Sequence, residues 1–182
     1  GRVVKNVTGY DLCKLMAGSY GTLTVMTDVT MKVLPAAETT RTILLVGLDT
    51  ARAVRALTAG LTSAFEVSGA AHLPSDVTPT SQVADVAGAG AAVTALRLEG
   101  PPGSVAHRAA KVAETVSGYG TPLELDDAAS RQLWAEVRDV RPFVGLTGTA
   151  VWRLSVPPAE GPAVAERLQR LDADSRLYLD WG

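Results

Sequence analysis

Two short stretches near the start of the chain gather the residue types that can hold a ligand. Lys5-Asn6-Val7-Thr8-Gly9-Tyr10-Asp11 brings together an ammonium, an amide and a phenol, and Gly18-Ser19-Tyr20-Gly21-Thr22-Leu23 follows it closely. A Ser-x-Gly-Thr turn can expose successive backbone N–H groups, and a glycine such as Gly21 lets a ligand approach the main chain. Lys5 would add a positive charge and Tyr10 a planar, hydrogen-bonding ring. The same residues also suit two ordinary loops with glycine caps. Physical chemistry alone leaves both readings open.

Other reactive side chains have plainer explanations. His72 and His107 have no Cys or His companion at metal-ligand spacing, so no metal site is expected. His107 shares a charged helix side with Arg108, Lys111 and Glu114 and reads as solvated. His72, beside Leu73 and Pro74, reads as a core or sheet-edge residue. Cys13 lies among Leu12, Lys14 and Leu15 and reads as a packed, unreactive thiol. Trp134, Trp152 and Trp181 fall on apolar stripes and read as core. Asp126-Asp127 reads as a helix start rather than an acid–base pair. No Ser-His-Asp set, phosphate-binding Walker loop or G-x-G-x-x-G fingerprint is present.

The elements that must position these residues follow from periodicity. A strand is predicted at Val3-Val4, then a two-turn helix capped by Asp11 and closed by Gly18. From Thr22 to Leu34 apolar and polar residues alternate, with Leu23, Val25, Val29, Met31 and Val33 on one face, which predicts a long strand. Pro35 ends it, and 36–40 reads as a linker. Beyond it, strands are expected at 42–48, 65–73, 93–98, 123–125, 149–156 and 176–181. Helices are expected after Asp49, Ser104, Asp126 and Pro158, with a Pro/Ser/Gly-rich excursion over 74–90. The first two β-α-β units make the βαββαβ order of a ferredoxin-like fold. The expected class is α+β, an antiparallel sheet with helices mainly on one face.

Composition narrows the function. The 182 residues are 47% hydrophobic and carry a net charge of −2, which suits a globular chain and no nucleic-acid surface. The single cysteine excludes an internal disulfide framework and suggests a reducing, cytoplasmic setting. The longest uncharged apolar run, 86–96, falls well short of the ~20 residues of a membrane span. A start at Gly1 that runs straight into Val3-Val4, and an end at Asp180-Trp181-Gly182 without a polar tail, suggest a piece of a longer protein.

The stretch GRVVKNVTGYDLCKLMAGSYGTLTVMTDVTMKVLP, residues 1–35, resembles the closing part of the FAD-binding domain in the vanillyl-alcohol-oxidase-like FAD-linked oxidases. Later motifs resemble, within that superfamily, the FAD-binding E subunits of bacterial glycolate oxidases. They are SGAAHLP (68–74), LRLEG (96–100), LWAEVRDVRPF (133–143), WRLSVPP (152–158) and YLDWG (178–182). The resemblance implies that residues 1–38 end an FAD-binding domain and that 39–182 form a truncated, substrate-side cap domain. The family's flavin-contacting segment falls on Ser19, Gly21, Thr22, Leu23, Thr24, Val25, Met26 and Thr27, and Tyr10 is a further cofactor-binding candidate. Tyr20 stands where Glu is frequent, and Thr24 where the family has a Gly. The family lysine that can pair with a substrate carboxylate falls on Lys5.

The resemblance thus implies FAD in the full-length protein and a 2-hydroxy acid substrate. The partners would be other glycolate oxidase subunits, which could hold the protein at the inner membrane. No glycine-rich pyrophosphate loop occurs in these residues, so the chain alone is expected to bind no FAD and to be inactive. No catalytic base can be named. A non-catalytic scaffold or assembly subunit is the alternative.

Overall fold

A computed structural model describes residues 9–33, 35–145 and 147–181. The predicted strand at Val3-Val4 and the candidate Lys5 lie outside them. The chain divides into two units, residues 1–36 and 37–182.

In the first unit, helix α1 (Leu12–Met16) starts where expected. The Asp11 carboxylate accepts the Lys14 N–H at 3.3 Å and pairs with the Lys14 ammonium at 3.3 Å. That backbone hydrogen bond, more than the nearby ammonium, holds the Asp11 carboxyl below its ordinary range. The helix buries no residue, so Cys13 is exposed rather than packed. Gly18 follows in the left-handed region at φ +77°. The long strand predicted from Thr22 is not formed over the described residues. Alternation specifies two faces, but a strand also needs a neighbour to complete its ladder, and no other described segment of this unit is extended beside it. Val25, Val29, Met31 and Val33 are accordingly exposed.

The second unit is built around β1 (Thr39–Val46), whose apolar run Ile43-Leu44-Leu45 is buried on both faces. It leads through α2 (Thr50–Leu61) to β2 (Gly69–Leu73), a short helix α3 (Ala84–Ala87) and β3 (Val93–Gly100). Then come α4 (Pro102–Val116), β4 (Leu123–Leu125), α5 (Asp127–Arg138), α6 (Gly161–Leu171) and β5 (Leu179–Asp180). The sheet order is β4-β1-β3-β2-β5, with every neighbouring pair antiparallel. Its first four strands have the ferredoxin-like order, so the α+β class and the βαββαβ reading agree with the structure. β1 and β3 pair in register from Thr39↔Gly100 to Val46↔Val93.

The two crossover helices share one face. Ala53, Ala56 and Leu57 of α2 meet Val105, Ala109 and Val112 of α4 over Ile43, Leu45, Leu96 and Leu98. Gly60 lies at the tightest point, where a Cβ would come within 2.7 Å of the Leu96 Cδ1 and that side chain would have to shift. The other face is covered as well. Leu133, Trp134 and Val137 of α5, with Val77, Val83 and Val86 of the 74–90 excursion, pack on Leu44, Ala71, Val93 and Ala95. Trp134 donates its indole N–H to Thr42 Oγ1 at 2.9 Å and lies 4.8 Å beneath the Arg97 guanidinium. The one-sided expectation therefore holds for the crossover helices, while α5 takes the opposite side because β1 and β3 are apolar on both.

Helix starts agree with the sequence at Asp49, which accepts from the Arg52 N–H at 2.8 Å, and at Asp126, which accepts from the Ala129 N–H at 2.9 Å. At α4 Pro102 opens the helix instead of Ser104, whose hydroxyl accepts from the Arg108 Nε. β2 starts four residues later than predicted, because Glu66 adopts φ +49° and interrupts the extended run. The 149–156 segment, alternating in sequence, forms no strand, and Trp152 is 82% exposed rather than core. Trp181 is half-buried against the α2/α4 cluster.

Two acidic side chains fasten loops to α5. Asp127 accepts from the Thr40 N–H at 2.6 Å and from Arg131, and Arg131 donates to the carbonyls of Ala37 and Glu38. The Arg131 hydrogen bond is the main cause that lowers the Asp127 carboxyl. Glu136, almost fully buried, accepts from Ser81 Oγ at 2.7 Å, Gln82 N–H at 2.9 Å and Gln132 Nε2 at 3.0 Å. Glu136→Ala would strip these donors of their acceptor and is expected to cost about 1–2 kcal/mol. Amide exchange should rise first over 82–88 if the loss is local. Unchanged exchange there, with an unchanged urea midpoint, would show that the carboxylate fastens nothing.

Candidate functional site

The sequence-nominated residues 19–26 form a tight turn and the segment that leaves it. Ser19 donates its N–H to the Met16 carbonyl at 3.2 Å, which seats the turn on the end of α1. The Ser19 carbonyl then accepts twice from Thr22, from its N–H at 3.0 Å and its hydroxyl at 2.6 Å. Tyr20 and Gly21 sit between them at φ +52° and +76°, the pattern of a type I′ turn. A Cβ on Gly21 would meet nothing within 4 Å, so the main chain there is open to close approach.

Beyond the turn the side chains do little. Leu23, Val25 and Met26 are more than half exposed, and Thr24 folds its hydroxyl back onto the Val25 carbonyl at 3.3 Å. Among the described residues, the N–H groups of Gly21, Leu23, Thr24, Val25 and Met26 meet no protein acceptor. No carboxylate occurs between Asp11 and Asp28. This donor set, a run of main-chain N–H groups without an opposing acid, suits the carbonyls and ring nitrogens of a flavin or another acceptor-rich ligand. Tyr10 is 94% exposed and Asp11 is engaged in capping α1.

The remaining candidates separate cleanly. Asp126 and Asp127 are a cap and a clamp, and His107 is exposed, as their sequence contexts suggest. His72 is buried, with Nδ1 3.0 Å from Thr94 Oγ1. Among the described residues no group of His, Cys, Asp and Glu is placed to hold a metal ion, and no helix is long and apolar enough to cross a membrane.

The sequence reading missed an apolar groove of about 930 Å³ within the second unit. Trp152, Leu154 and Val156 line it together with Val164, Leu168 and Leu179. Its signal was the 149–156 alternation, which reads equally well as a strand.

No family model matches the chain. It is 30% identical over 183 aligned residues to the glycolate oxidase subunit GlcE of Escherichia coli (strain K12), a match that spans 100% of this chain. It is also 46% identical over 44 residues, 24% of the chain and 9% of the relative, to the glycolate oxidase subunit GlcD of Bacillus subtilis (strain 168). The chain spans 41% of the length of GlcE. A whole-chain match to one subunit, a local match to another and a ferredoxin-like sheet in the second unit agree with the motifs of the sequence: the chain is similar along its full length to the glycolate oxidase subunit GlcE.

Proposed function

We propose that the chain is part of the FAD-binding subunit of a glycolate, or closely related 2-hydroxy acid, oxidase. The whole-chain similarity to GlcE carries this reading. In it, residues 1–38 end the FAD-binding domain and 39–182 form the cap on the substrate side. When bound, FAD supplies the acceptor for hydride from the substrate. The main-chain donors of Gly21 and Leu23 to Met26, with Ser19, Thr22 and Tyr10 around them, hold and orient the cofactor. Lys5, a compact ammonium, pairs with the substrate carboxylate. The partners are other glycolate oxidase subunits, and the setting is cytoplasmic, against the inner membrane through those partners.

A scaffold role without chemistry is the second reading, favoured by Thr24 standing where the family has a glycine. One pair of measurements separates them. The full-length protein should be yellow, and its flavin should bleach when glycolate is added without oxygen. Lys5→Ala should then lower kcat/KM by about 10–100-fold at unchanged flavin content, the loss of one charge-assisted contact of ~1.5–3 kcal/mol. A yellow protein that neither bleaches with any 2-hydroxy acid nor responds to the substitution is a scaffold.

A further inference from the structure

Tyr20 combines two features that oppose ordinary preference. It holds φ +52° at the first central position of the Ser19–Thr22 turn, where Asn, Asp or Gly is favoured and a bulky residue is strained. Its ring is 99% exposed and, among the described residues, has no hydrogen-bond, ring or ionic partner. The two bonds from Thr22 to the Ser19 carbonyl close the turn that carries the ring. Next in the chain come the open main chain of Gly21 and the N–H groups of 23–26, which meet no protein acceptor among the described residues. A planar, acceptor-rich ligand laid along those donors would bring its face to the phenol.

We propose that Tyr20 stacks on the isoalloxazine ring of the bound flavin; the proposal rests on the flavin-holding role given above to 19–26. Stacking of a planar ring on an aromatic side chain contributes through face-to-face contact rather than through a hydrogen bond. The effect is then a matter of the ring, and the hydroxyl matters through its electron richness, because a stacked phenol quenches flavin fluorescence by transient electron donation that phenylalanine cannot make.

The test uses the full-length protein loaded with FAD, reading bound-flavin fluorescence and the FAD dissociation constant. Tyr20→Trp should keep both near the parent values. Tyr20→Phe should keep affinity within about twofold while the bound flavin brightens several-fold. Tyr20→Asn, which suits the left-handed turn but has no ring, should brighten it and weaken FAD by about tenfold. A flavin equally dim in Tyr20→Phe and the parent overturns the stacking, whatever Tyr20→Asn does to affinity. A loss of thermal stability with unchanged fluorescence and affinity also overturns it and leaves Tyr20 a role in the turn alone. A full-length protein that takes up no FAD defeats both the flavin-holding role and this proposal.

Discussion

The 182-residue chain purified alone is expected to be colourless and to bind FAD at least a hundredfold more weakly than the full-length protein. In the proposed function the N–H donors of Gly21 and of residues 23–26 make one edge of the flavin site, and an edge open to water gains little from each hydrogen bond because the N–H groups lose comparable bonds to solvent. No stretch of the 182 residues resembles the glycine-rich loop that wraps the FAD pyrophosphate in the family. Charge-assisted contacts of that kind contribute roughly 1.5–3 kcal/mol each, and losing two lowers affinity by about two to four orders of magnitude. Equilibrium dialysis of both proteins against FAD checks this. Stoichiometric flavin on the isolated chain would mean that the residues present suffice for the site.

Acid should destabilise the second unit through His72, beginning as the pH falls below 6.5. His72 is 1% exposed, and desolvation pushes its pKa down to about 4, with the Asp49 carboxylate opposing only in part. Above pH 6.5 the imidazole is neutral in both folded and unfolded chains and contributes no pH dependence. Between 6.5 and about 4 the unfolded chain binds a proton that the folded one excludes. Stability therefore falls as pH falls, by up to about 3 kcal/mol in total, and levels off below that window. Urea unfolding at pH 7 and pH 4.5 measures the drop. His72→Gln, which retains a polar partner for Thr94, should flatten it; parallel profiles for parent and variant would exclude His72 as the cause.

The sequence carried most of what is local. Asp11, Asp49 and Asp126 are legible as caps because an N-cap acts within three residues of itself, and each accepts the expected N–H. The βαββαβ order was legible because helical and extended periodicities differ. The segment 19–26 could be nominated from its glycine and hydroxyl spacing and from the family motif it resembles.

What depended on partners could not be read in the same way. Residues 22–33 and 149–156 alternate as a strand does, yet neither forms a strand among the described residues, since a ladder is completed by a neighbour and not by a pattern. That α5 covers the face opposite α2 and α4 depends on β1 and β3 being buried on both sides. The left-handed Tyr20 was hidden for the opposite reason, because residue type argues against that conformation and only the hydrogen bonds that close Ser19 on Thr22 impose it. Local preference determined where elements begin and which faces are apolar; tertiary contact decided which faces meet, and which residues are held where they would not otherwise rest.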